Sequence, residues 1–458
     1  MLSAYAGGTI DDVRTLIARF AALPGMTSAV PFMVTSVLLL PVAGAGLASV
    51  SPQLAAGTFR TYPVLAVNHL VTLGWGTLLA MGAIHQMFPA MVGVPRRPGR
   101  GALIQYGLSL AGAATLVGGL LLRRVPWVAA GGLVAWIGIT YFLWLTARIA
   151  RRRRRWTPEA SGVALALGYL LLTATWGVLA ALNWRWPFWR GLLGDAAWGV
   201  HAALGLGGWF AQLVVSVSAY LLPRFVGLHR IEARADAGSG ETHAGAAARA
   251  IPLLPALLPL NAGVLLLVAA ALLGAPPPAR FGAALLAASG LLYAGSLLRV
   301  LRARQQAKPD LTIHHWWAIL GQTVLLSILA GVWAAGGLGT EGRRAAAAAA
   351  VLFLVGWLSL AIMGQLYKVT PFLMWYYRFA LGIPAAEVPR LAAPYYPVVG
   401  VPSFYLTLSG SLLLTGGVLF AQPALARGGS LLFLGGGLLF AYAMAVSWIR
   451  AASLPPRQ

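Results

Sequence analysis

Seven histidines and no cysteine stand in this 458-residue chain, so any metal or cofactor must be held by imidazole, thioether, phenol, backbone or packing. Disulfides, thiolate metal sites and thioether-linked haem are excluded by the same count. Two histidines lie in apolar runs just ahead of a Gly-Trp pair: His69 stands five residues before Gly74, and His201 seven before Gly208. Two residues turn an α-helix by about 200°, so the two imidazoles occupy nearly opposite faces of equivalent helices. They can therefore meet where one such helix packs on the next. Two imidazoles facing each other in an apolar crevice ligate a b-type haem from both sides. His69 and His201 are the expected axial ligands, and Gly74, Trp75, Gly208 and Trp209 the expected surroundings of the cofactor. The glycines would let helices approach and leave room for a macrocycle.

The remaining histidines lie elsewhere. His85 is sixteen residues after His69, about 24 Å at 1.5 Å per residue. His314 and His315 open a later apolar run beside Trp316 and Trp317, and His229 and His243 fall in a polar stretch. His85, His314 and His315, together with Tyr367, are read as a polar vestibule at the other membrane face, able to take up protons or hold a second metal. The plainer reading makes them interfacial or interhelical polar residues.

The elements that must position these residues repeat. Gly74-Trp75, Gly82 and Pro89 recur as Gly208-Trp209, Ser216 and Pro223, then as Gly356-Trp357, Gly364 and Pro371, at offsets of 134 and 148. Hydrophobic residues make up 59% of the chain and charged residues 9%, with a mean hydropathy of +0.78. That composition is that of a polytopic membrane protein. Twelve apolar runs are long enough to span a bilayer: 28–50, 66–92, 102–122, 126–148, 160–182, 195–223, 251–274, 281–303, 314–338, 344–371, 400–421 and 429–450. The Gly-Trp helices are the second, sixth and tenth. The expected fold is all-α, with twelve transmembrane helices in a pseudo-threefold arrangement of four-helix repeats. It forms one membrane domain over 28–450, with an amphipathic surface helix over 1–27 and a tail over 451–458.

The net charge of +23 would suggest nucleic acid on a soluble protein, but here it belongs to loops at the bilayer surface and no nucleic-acid partner is expected. Loops after even-numbered helices, with both termini, carry 24 of the 33 basic residues, including the arginine run 151–155. The positive-inside rule then places both termini in the cytoplasm of a bacterial inner membrane.

The pattern from His69 through Gly74-Trp75 and Gly82 to Pro89 resembles the tenth helix of subunit I in C-type haem-copper oxidases, where histidines stand seven and five residues before the glycine. The helix count and the histidines on helices 2 and 6 are similar to that superfamily and to the haem- and copper-binding NnrS family, linked to nitric oxide response. The resemblance implies haem b, a copper site, and a cytochrome or quinol as redox partner. Three departures shape the expectation. The tenth-helix ligand positions hold Ala349 and Val351, the seventh helix has no histidine for copper, and all ten acidic residues fall in loops or at helix ends. The expected function is therefore a b-type haem protein for electron transfer or nitric oxide binding, without the usual copper site. An active oxygen or nitric oxide reductase is the second reading, and a haem-free transporter or structural protein the third.

Overall fold

The computed structural model describes residues 29–95, 99–187, 194–228, 253–305, 309–337, 342–375 and 398–453. The surface helix expected over 1–27, residues 454–458 of the tail expected over 451–458, and His229 and His243 lie outside them, while 451–453 continue the preceding helix. Every regular element among the described residues is helical. Twelve helices are long and apolar enough to cross a membrane: α1 Val30–Ala55, α2 Tyr62–Met91, α3 Arg100–Leu121, α4 Val125–Arg151, α5 Pro158–Arg185, α6 Ala196–Phe225, α7 Pro255–Leu273, α8 Pro276–Arg302, α9 Leu311–Ala334, α10 Gly342–Met374, α11 Gly400–Leu419 and α12 Pro423–Ile449.

Several helices start earlier than hydropathy predicts, because their first turn is fixed by chemistry other than apolarity. Proline opens α4, α5 and α8, where a missing N–H costs nothing. The Asp310 carboxylate accepts the Ile313 N–H at 3.2 Å and starts α9 before its apolar run. The arginine run also has a structural task beyond topology. Arg155 donates to the carbonyls of Ala90 and Met91 at 2.8 and 3.1 Å, placing its charge at the C-terminal end of α2.

The helices pack on small residues. α3 with α4, α7 with α8 and α11 with α12 form close hairpins, and α12 lies along α1, so the last helix of the chain covers the first. Gly112 meets the backbone of Ala135, and Gly417 that of Ala426, so closely that a Cβ would sit 2.3 Å from the neighbouring nitrogen in each case. In a bilayer, where apolar burial gives helices little reason to associate, such backbone approach holds them together.

α2, α6 and α10 form the centre, and each is interrupted by a π-helical segment: Leu70–Thr77, Ala203–Ala211 and Leu352–Leu358. Each segment contains its helix's Gly-Trp pair. The indoles are buried and hydrogen-bonded: Trp209 donates to Thr77 Oγ1 at 3.0 Å and Trp75 to Ser359 Oγ at 3.2 Å. Thr77 and Ser359 both stand two residues after their own tryptophan. The corresponding residue of α6 is Ala211, which has no hydroxyl, and Trp357 donates instead to Thr323 of α9 at 2.8 Å.

Candidate functional site

His69 is the last residue before the π segment of α2, and His201 lies one residue further from the π segment of α6. The two half-buried rings face across the α2–α6 contact with centres 6.2 Å apart and planes inclined by 29°. His69 Nδ1 is 2.8 Å from the Leu65 carbonyl, one turn back on its own helix. His201 Nδ1 is 3.1 Å from the Thr173 carbonyl of α5. A carbonyl accepts only, so each Nδ1 carries the proton and each Nε2 is left as the nitrogen with a free lone pair. Gly177 of α5 forms the seat of the His201 ring, since a Cβ there would lie 2.9 Å from His201 Cε1.

Two imidazoles sharing one metal at about 2.0 Å per bond place their ring centres roughly 6 Å apart. The donor set distinguishes among metals. Among the described residues no three His, Asp or Glu side chains come together, so a bare zinc or copper ion would find half of its usual ligands here. Haem iron takes four nitrogens from its macrocycle and needs two from protein. Two imidazoles are then a complete set, and the residues present fit haem better than a naked ion.

Aromatic rings close the end of the bundle beyond the pair. Trp198 lies one turn before His201, Trp184 packs on it at 5.8 Å, and Tyr62 packs on Trp184 at the same distance. The Arg60 guanidinium lies over Trp198.

Of the two roles expected of the glycines, close helix approach is the one the packing shows. Leu39 of α1 and Leu70 fill the space beside Gly74, and the Tyr169 ring of α5 fills that beside Gly208, within 2.5 Å of where a Cβ would be. These glycines admit neighbouring helices, and Trp75 and Trp209 join helices by hydrogen bonds. Tyr169 is itself held by a buried polar chain that the sequence reading missed. Its hydroxyl donates to Asn261 Oδ1 at 2.8 Å, and Asn261 Nδ2 donates to Gln212 Oε1 at 3.1 Å. Three residues on three helices, with no common motif, left no periodic signal.

The expected vestibule of His85, His314 and His315 is divided. His85 packs among α1, α3 and α4, its Nε2 3.1 Å from Gln105 Oε1 and its ring against Phe32 and Phe142. Gln105 passes the network on to Ser109 Oγ at 2.8 Å. His315 is fully buried between α9, α10 and α11, with Tyr367 at 5.5 Å and Phe404 at 4.7 Å. His314 is exposed, its Nδ1 on the Asp310 carbonyl at 3.0 Å. Adjacent helical residues point about 100° apart, so His315 is buried and His314 exposed, yet both lie against Phe404, at 4.7 and 6.5 Å. An open crevice of about 810 Å³ lies between α8 and α9 around Arg280 and Phe281, away from every histidine named here. No protein-family model matches the chain, and no curated protein matches it in sequence.

Proposed function

We propose that this multi-pass membrane protein binds haem b between α2 and α6, with His69 and His201 as axial ligands, and uses it to transfer electrons or bind nitric oxide. The observation that carries the proposal is the imidazole pair itself: rings 6.2 Å apart, each Nδ1 engaged by a backbone carbonyl, each Nε2 left for a metal. Haem held by His69 and His201 would supply a one-electron couple and, were one of the two imidazoles free, a position for a diatomic gas. The chain's own part is to fix the ring tautomers and to hold the rings in register.

A pseudo-threefold arrangement of four-helix repeats is the architecture proposed for this site. It is supported by matching contacts in the three copies. Leu39, Tyr169 and Gln322 cover Gly74, Gly208 and Gly356; seven residues earlier, Phe32, Gly162 and His315 meet Gly82, Ser216 and Gly364. The ends of α2 and α6 match as well: Gly93 and Gly227 take φ of 70° and 84°, and Val92 and Val226 carbonyls accept from Arg154 and Gln305 at 3.0 and 2.9 Å. The charge asymmetry supports a bacterial inner-membrane location with both termini cytoplasmic, so the histidine pair lies toward the outside, where a cytochrome or a quinol would reduce it.

Pyridine haemochrome analysis with metal determination on the purified protein tests this reading. One haem b per chain with a low-spin spectrum is expected. Copper together with haem would favour a reductase, and absence of both a transporter or structural protein.

A further inference from the structure

We infer that α9, α10 and α11 enclose a buried water-binding site that opens at the arginine-rich end of the bundle. The inference is independent of haem. The helices that pack on α2, α6 and α10 do so through corresponding positions, and their chemistry differs. At these positions α1 offers Phe32 and Leu39, and α5 offers Gly162 and Tyr169, but α9 offers His315 and Gln322. An imidazole and a carboxamide thus occupy the places where the first copy has two apolar side chains.

Their polar atoms are not fully used. His315 Nδ1 reaches the Leu311 carbonyl at 2.8 Å, and Gln322 Nε2 reaches Ser411 Oγ at 3.3 Å. His315 Nε2 and Gln322 Oε1 are buried with no partner, and so is Thr370 Oγ1, one turn beyond Tyr367 on α10. The three side chains are 0%, 3% and 1% exposed. Buried polar atoms in native proteins are almost always paired, with protein or with ordered water. Lipid tails offer no hydrogen bond, which leaves water as the ligand that an acceptor nitrogen, an amide oxygen and a hydroxyl all recognise.

The nearest partly exposed polar groups lie at the arginine-rich end of the same helices. Lys368 Nζ pairs with Asp310 Oδ2 at 2.6 Å and also donates to the Phe225 carbonyl at 3.1 Å, tying α10 to the start of α9 and the end of α6. Both charged side chains are partly exposed, at 24% and 38%. Lys368 lies about 3 Å from Thr370 along the axis of α10, on another face of that helix, and Asp310 about 7.5 Å from His315 along α9, so the charged pair and the buried atoms are close in depth. Lys368 is the one lysine in any spanning helix, since the only other lysine of the chain is Lys308.

The absence of native cysteine makes the test direct. Thr370→Cys and Leu222→Cys occupy the same register, fourteen residues after the glycine of their Gly-Trp pairs. In membrane vesicles, a small charged methanethiosulfonate should label Thr370→Cys at least tenfold faster than Leu222→Cys, and from the same side as a marker at Arg153→Cys. Adding His315→Phe, the side chain of the first copy, should slow that labelling severalfold. Equal rates at the two positions, or labelling from the opposite side, would overturn the inference. Hydroxyl-radical footprinting of the unmutated protein provides a second arm. His315 and Tyr367 should be oxidised well above the buried Phe32 and Trp75, and oxidation at the level of those two would also overturn it.

Discussion

His69 and His315 are set in their helices by the same local device. In each, Nδ1 meets the carbonyl four residues back at 2.8 Å, and in each the ring belongs to the central packing of the bundle. They differ in the rings that lie beside them. His69 faces the second imidazole of His201, while His315 faces the rings of Tyr367 and Phe404. A helix by itself makes a histidine a ready ligand, and the neighbouring helix decides whether a metal can use it. One end of this bundle thereby offers two imidazoles side by side, and the other a single imidazole beside a tyrosine and a phenylalanine.

The comparison breaks first if the two histidine regions respond alike. His69→Ala and His201→Ala should each abolish the low-spin haem spectrum, whereas His315→Ala should leave it intact. A low-spin spectrum surviving in either of the first two variants would sink the axial assignment. Next in size are the packing glycines. Gly208→Ala would drive a methyl into the Tyr169 ring and Gly364→Ala into His315, with Cβ approaches of 2.5 and 2.6 Å. Each should lower stability by about 1–3 kcal/mol in a denaturant titration, while Gly107→Ala, with nothing within 4 Å of the new methyl, should be neutral or stabilising. Equal responses at all three would remove the packing argument. A smaller effect is expected at Gly177→Ala, which presses on the His201 ring without touching His69. It should shift part of the spectrum to high-spin at a stability cost of about 1 kcal/mol, and an unchanged spectrum would show that the ring seat is not needed. Smallest is His314→Ala, exposed and touching only the edge of the His315 cluster at Phe404, where stability should stay within about 0.5 kcal/mol and the spectrum should not move.

Much of this was legible in the residues. Twelve apolar runs, the three Gly-Trp helices and the meeting of His69 with His201 follow from hydropathy and from counting 100° steps. Two kinds of feature were hidden. Contacts between side chains on separate helices, such as Tyr169 with Asn261 or His85 with Gln105, depend on helix rotation and separation, which no single-helix pattern records. Helix starts set by Asp310 or a proline fall outside the apolar run that hydropathy detects. The adjacent letters of His314 and His315 did not record that the 100° step between them buries one ring and exposes the other, while both still reach Phe404.

The π segments carry a consequence of their own. A π turn holds one residue more than the α turn it replaces, so each of the three central helices contains a phase slip between its two halves. Everything ahead of the slip, including His69 and His201, is rotated relative to everything after it by about one residue's angle, 100°. The three Gly-Trp helices carry the slip at nearly the same place, around their Gly-Trp pairs. Each histidine therefore owes its heading to a miscount in the helix as much as to its own position. Removing a single residue from one slip and letting that helix rewind would swing its imidazole away from the other without altering any side chain at the site.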